Sequence, residues 1–150
     1  MTTLRVLSHA RGVMSAACVA LTLAGCSAAT ENCAPPVPVA GTWHYLAAQD
    51  TPAHTSIEGT LSVTGQSCKN FEGTIDVIEI DAQGQSRRLA GVVSGRAVES
   101  SSIQFDAVLG TSTRQHIATI AGDSIAGTWL EFSGGGTAAT GSFHAGRTSP

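Results

Sequence analysis

From Ala40 onward, apolar and polar residues alternate with a period of two, broken at short intervals by turn residues. The alternation predicts eight strands: Gly41–Ala48, Ser56–Thr64, Asn70–Ile80, Ser86–Glu99, Ser102–Leu109, Thr113–Ala121, Ser124–Phe132 and Ala138–Ala145. In the second, Ile57, Gly59, Leu61 and Val63 oppose Glu58, Thr60, Ser62 and Thr64; in the third, Phe71, Gly73, Ile75 and Val77 oppose Glu72, Thr74 and Asp76. No helical stripe competes. The connections are short, which suits antiparallel neighbours and not parallel crossovers. One apolar face per strand means one core. A meander of eight strands buries that face by closing on itself, which also removes exposed strand edges. The expected fold is all-β, an eight-stranded antiparallel up-and-down β-barrel over residues 40–146, with a C-terminal tail at 147–150.

Two internal echoes fit this reading. Glu58-Gly59-Thr60-Leu61-Ser62-Val63 returns fourteen residues later as Glu72-Gly73-Thr74-Ile75-Asp76-Val77, with each glycine on the apolar face. Glycines inside strands let a sheet coil tightly enough to close. Ala40-Gly41-Thr42-Trp43 returns as Ala126-Gly127-Thr128-Trp129. Gly41-Thr42-Trp43, a Gly-x-Trp at the head of a meander, resembles the calycin pattern of lipocalins and avidins. In lipocalins that tryptophan packs at the closed end of the barrel, so the resemblance implies a structural role for Trp43. The Glu58-Gly59-Thr60 and Thr140-Gly141-Ser142 segments are similar in flavour to avidin strands. The chain departs from both groups: it lacks a clear C-terminal helix, a recognisable polar biotin-binding set and a run of ligand-stacking tryptophans.

The N-terminus breaks the strand pattern. Residues 1–11 carry Arg5 and Arg11 and no acid, and residues 12–24 are apolar or small. A basic start, a short apolar run and small residues at the cut site make a secretory signal. The run falls short of the ~20 residues a membrane-spanning helix needs. Leu23-Ala24-Gly25-Cys26 resembles the lipobox of bacterial lipoproteins. The resemblance implies cleavage after Gly25 of a 1–25 signal peptide, a diacylglycerol thioether on Cys26, and acylation of the new amino terminus, for example with palmitate. Cysteine is required because its thiolate takes the lipid. Several acyl chains together make a stable anchor. Residues 26–39, with Pro35, Pro36 and Pro38, read as a short extended tether. The expected location is the cell envelope: the outer membrane, on its periplasmic or surface face, in a two-membrane cell, and otherwise the outer face of the cell membrane.

Cleavage removes Arg5 and Arg11 from the eight basic residues, leaving six against eleven acids, a formal charge of −5. That balance gives nucleic acid no basic footing. Cys18 leaves with the signal and Cys26 takes lipid. Cys33 and Cys68 remain in an oxidising compartment, and a Cys33–Cys68 disulfide is expected.

Candidate chemistry is sparse. No Gly-x-Ser-x-Gly occurs. His44, His54, His116 and His144 are scattered and read as exposed positions; His44 and His144 come near each other in a closed barrel but point outward. No metal site and no cofactor is expected, because no third ligand can be named. Asp76, Glu79 and Asp81 read as a solvated face. Most aromatics fall on interior faces, Phe132 apart, with Tyr45 open. The alternation shows no polar cluster inside the barrel, so the protein is not expected to be an enzyme. Many interior positions are Gly, Ala or Val, which leaves room for a small apolar pocket lined by Trp43, Leu61, Ile75, Phe105 and Trp129. The expectation is a monomeric, membrane-anchored barrel that binds a small apolar ligand or an envelope partner. The alternative is an interaction or protease-inhibitor-like barrel with a filled core.

Overall fold

The computed structural model describes residues 33–148. The segment expected as a signal peptide, and Cys26, the expected lipidation position, lie outside the described residues. Eight strands follow in order: β1 (Gly41–Thr51), β2 (Thr55–Ser67), β3 (Asn70–Asp81), β4 (Ser86–Ala97), β5 (Ser102–Leu109), β6 (Ser112–Ala121), β7 (Ser124–Ser133) and β8 (Gly136–Arg147). Each pairs antiparallel with the next, and β8 pairs with β1, closing the barrel. This is the fold the alternation predicts, with several strands running two or three residues past their expected ends. Hydrogen-bonded closure leaves no sheet edge.

The inward face is apolar along most of its length, from Trp43 on β1 to Ala145 on β8. Glycines permit the curvature. Gly59 faces inward in β2, where an added Cβ would stand 2.0 Å from the Asp76 carbonyl oxygen of β3; at Gly73 it would stand 1.9 Å from the Ser62 carbonyl oxygen. Neither position has room for a side chain, so the echoed Glu-Gly-Thr segments mark places where neighbouring strands approach closely.

The two ends of the barrel differ. One is corked. Val39, at the end of the segment expected as tether, is fully buried, and Gln66 holds that segment by accepting from Val39 N at 2.9 Å and donating to Val37 O at 2.8 Å. Trp43 donates from Nε1 to Val39 O at 3.0 Å, and the Arg147 guanidinium lies 4.0 Å over its ring. Arg147, expected in the tail, is the last residue of β8; it also donates to Asp123 and to the carbonyls of Ala40 and Pro38. The Cys33–Cys68 disulfide, Cα–Cα 5.1 Å, ties the incoming chain to the β2–β3 turn at this end. Cys68 takes φ 54° as the first residue of that turn, the left-handed geometry that tight hairpins demand. The other end carries the β1–β2, β3–β4, β5–β6 and β7–β8 connections and forms the mouth.

Candidate functional site

Register sorts the five expected pocket residues into two rows. Trp43, Leu61 and Ile75 are directly opposed across β1, β2 and β3. Phe105, His116, Trp129 and Gly141 are opposed across β5 to β8. All five are at most 2% exposed. Trp43 belongs to the cork, whereas Trp129 lies toward the mouth. The five therefore all face the interior and fall on two register rows.

The middle of the barrel is packed with rings. Phe105 stacks on His116 at 4.2 Å between centroids, Tyr45 stacks on Phe143 at 5.4 Å, and Phe143 meets His116 edge-on at 5.0 Å. Tyr45, left open by the pattern, faces inward with Trp43 two residues before it. His116 corrects the expectation of exposed histidines: it is fully buried, sharing the inward face of β6 with Ala118 and Ile120. His44 and His144 do point outward, to Glu58 and Ser124.

The hydrogen bonds of His116 fix its state. Nδ1 lies 3.1 Å from the Arg114 carbonyl oxygen, which can only accept, so Nδ1 carries the proton. Nε2 is then an acceptor, and the Tyr45 hydroxyl donates to it at 3.1 Å. Burial pushes the imidazole down to about 3, and the nearby Arg114 charge acts the same way. Burial also raises the Tyr45 phenol above its ordinary range. The pair is neutral and mutually satisfied.

Above it, toward the mouth, lies an ionic set. Arg114 faces inward from β6, nearly inaccessible, with its guanidinium 4.7 Å from the Trp129 ring centroid. Its Nε donates to Glu131 on β7 at 2.6 Å, and a terminal nitrogen reaches across the lumen to Glu79 on β3. Glu79 also accepts from Arg87 at 2.5 Å. Burial pushes the Glu79 carboxyl up, but the hydrogen bonds from Arg114 and Arg87 outweigh it and hold the group below its ordinary value. Arg114 is raised despite burial, chiefly by Glu79. Two cations and two anions leave the set without net charge.

This set overturns two expectations. Glu79 is not on a solvated face: it is 6% exposed, while its neighbours Ile78 and Ile80 point outward at 47% and 43%. The barrel also holds the interior polar cluster that the alternation was read to exclude. The signal was present in parity. Glu79 continues the face of Ile75 and Val77, Arg114 and His116 share that of Ala118, and Glu131 lies two residues past Trp129.

One buried polar atom in this region lacks a partner. Trp129 is 1% exposed, and its Nε1–H meets no acceptor among the described residues. Its indole lies over Gly141, where an added Cβ would come within 2.6 Å of Cε2 and Cζ2. Outside the barrel, a concavity of about 710 Å³ crosses the wall from β2 to β6. Among the described residues no group of three or more His, Cys, Asp or Glu side chains is placed to hold a metal.

Neither a family model nor a curated protein matches the sequence. Solved structures with the same architecture do. The chain is similar to a redesigned β-barrel, mFAP1, bound to DFHBI (TM-score 0.60, 12% identity, 72% of this chain and 94% of that one). It is also similar to EF1p2_mFAP2b bound to DFHBI (TM-score 0.59, 14% identity, 73% and 93%). A third is a de novo designed fluorescence-activating β-barrel (TM-score 0.55, 16% identity, 73% and 93%). At these identities the likeness establishes the fold class, a closed eight-stranded antiparallel barrel.

Proposed function

We propose that this protein is a membrane-anchored envelope lipoprotein whose monomeric barrel binds a small, largely apolar ligand without catalysing a reaction on it. The observation that carries the reading is the unpartnered indole N–H of Trp129 in an interior where Trp43, Tyr45, His116, Arg114 and Glu79 all have partners. A buried donor left unmet costs about 1–3 kcal/mol, so a ligand that supplies one acceptor gains that much by binding there. Ala139, a small residue opposite Glu131 on β8 at the mouth end, suits such a ligand. Two barrels of the same fold hold a small ligand, DFHBI. Non-catalytic action is supported by the neutral, sealed Tyr45–His116 pair and by carboxylates already engaged with arginine. Calycin kinship is supported by Trp43, sealed at the corked end as the Gly41-Thr42-Trp43 resemblance implies.

The lipobox at Leu23-Ala24-Gly25-Cys26 supports the anchor. Mass spectrometry of the envelope-extracted protein tests it: an acylated N-terminal Cys26 is expected, and Cys26→Ser releases the protein from the membrane fraction. The ligand reading is tested by titrating fatty acids and hydrophobic dyes while following tryptophan fluorescence. A saturable change, weakened about tenfold in Trp129→Phe by loss of one hydrogen bond, is expected. Fluorescence that no compound moves overturns the reading. That outcome favours the second one, an interaction module with a filled core, which the ring packing around Phe105, His116 and Phe143 supports.

A further inference from the structure

Two hydrogen-bond donors stand open at one indole inside the barrel. The Trp129 N–H is buried and meets no acceptor among the described residues. Over the face of the same indole lies the Arg114 guanidinium. Its Nε donates to Glu131 and its Nη2 to Glu79, while Nη1 makes no hydrogen bond among the described residues. Other donors of the interior are filled: Trp43 Nε1 by the Val39 carbonyl, His116 Nδ1 by the Arg114 carbonyl, and the Tyr45 hydroxyl by His116 Nε2. What the indole lacks is an acceptor. In the register row of Ala107, Arg114, Glu131 and Ala139, from β5 to β8, an alanine flanks the ion pair on each side. The row therefore sets no bulky apolar side chain next to the pair. The ionic set also reaches solvent: exposure rises from nearly inaccessible Arg114, through Glu131, to largely exposed Arg87.

Charge decides which acceptor fits. Arg114 and Arg87 are matched by Glu79 and Glu131, so the set carries no net charge. A carboxylate brought to the Trp129 donor would add an anion close to Glu131 and Glu79, in surroundings too apolar to screen it. An ammonium brings only donors, meets the Arg114 charge and leaves the indole N–H unmet. A saturated hydrocarbon leaves it unmet as well. A neutral carbonyl oxygen brings lone pairs and no charge. It satisfies the indole N–H and adds nothing to the ionic set.

We propose, resting on the ligand-binding reading above, that the barrel selects uncharged apolar molecules bearing a carbonyl group, such as esters and ketones. The carbonyl oxygen accepts from Trp129 Nε1, with Arg114 Nη1 as the second donor at the same indole. Glu131 and Glu79 turn away the corresponding acids. Trp129 and Arg114 thus determine which ligands bind, and the ion pairs that hold Arg114 set the charge the ligand must have.

The test uses the full-length protein in phosphatidylcholine nanodiscs, with empty nanodiscs as the blank. The probes are methyl decanoate, methyl nonyl ketone, decanoate and decane. The indole N–H resonances of Trp43 and Trp129 are followed by heteronuclear NMR, and Trp129→Phe assigns them. The ester and the ketone are expected to move the Trp129 resonance saturably and to leave that of Trp43, already bonded to Val39, in place. Decane, and decanoate at about pH 8.5 where it is ionised, bind at least about tenfold more weakly. Trp129→Phe removes the preference for ester over decane. Glu131→Gln leaves the set with a surplus positive charge, and decanoate then binds at least as well as the ester. The proposal is overturned, with the ligand-binding reading intact, if acid and ester bind equally, if the ester binds without moving the Trp129 resonance, or if Glu131→Gln leaves the order of the probes unchanged. If no probe binds, that reading falls with it.

Discussion

The Tyr45 hydroxyl, on β1, donates to His116 Nε2, on β6, at 3.1 Å across the filled middle of the barrel. The two residues are 71 apart in sequence, and each is the other's partner in an otherwise aromatic surrounding. The contact pins opposite walls together and selects one tautomer of the histidine. Tyr45→Phe keeps the ring but leaves Nε2 without a donor. A loss of ~1–3 kcal/mol in unfolding free energy is expected, measured by urea denaturation. A loss below ~0.5 kcal/mol means that the hydroxyl contributes only volume.

The same histidine sets an acid limb. His116 titrates at about 3 in the fold and near its ordinary 6.5 when unfolded. Between these values the unfolded chain binds the extra proton. Stability is therefore complete above about pH 6.5 and falls as pH drops toward 3, with a slope of at most ~1.4 kcal/mol per pH unit. Arg114 and Tyr45 are the ionisable neighbours, and neither titrates in this range. Glu79, held below its ordinary 4.5, adds a loss of the same sign at lower pH. In His116→Gln the slope between pH 6.5 and 4.5 disappears while the loss below it remains. Thermal melts across pH 3.5–7.5 show whether it does.

Arg114 and Arg87 both bond Glu79, yet their deletions differ. Arg114 is buried, so Arg114→Met leaves Glu131 without its arginine and Glu79 with Arg87 alone, at a cost of ~3–5 kcal/mol. Arg87 is 68% exposed, and Arg87→Ala costs under ~1 kcal/mol. Denaturation midpoints of the two variants measure the order; equal losses would mean that the mouth is more solvated than its packing indicates.

The cork depends on a covalent bond. Cys33 and Cys68 are 35 residues apart, and closing a loop of that size restricts the unfolded chain by ~3–4 kcal/mol. Cys33→Ser/Cys68→Ser is expected to lower the unfolding free energy by about that amount without changing the strand content seen by circular dichroism. An unchanged midpoint in guanidinium would show that Gln66 and Arg147 hold the cork unaided.

How much of this was legible beforehand follows from one physical rule. Period-two alternation belongs to the backbone, so strand number, order and closure could be read from where Ile57, Leu61 and Val63, or Phe71, Ile75 and Val77, fall. Trp43, Leu61, Ile75, Phe105 and Trp129 were legible as interior for the same reason. The polar interior was not, because hydrophobicity reports the solitary cost of burying a group and not the relief its partner brings. Glu79, Arg114 and Glu131 come from three strands, and no local pattern announces that they meet across a lumen. Parity placed each of them inside; their charge argued otherwise, and parity prevailed. Tyr45 and His116 raise the same conflict in neutral form.

The seam between β1 and β8 also sets an order of events in time. The hydrogen bond from Arg147 to the Ala40 carbonyl joins residues 107 apart. A chain emerging from its N-terminus can pair β1 with β2, then β2 with β3, by local hairpins, each closing a short loop. Its last contact closes nearly the whole domain at once, the slowest kind of contact for a polymer to find. Until β8 arrives, the free edge of β1 and the indole of Trp43 are open to other chains. Arg147 is thus the latch of the seam: its contacts join the last strand to the chain that leads into the first and turn a curled ribbon of hairpins into a vessel.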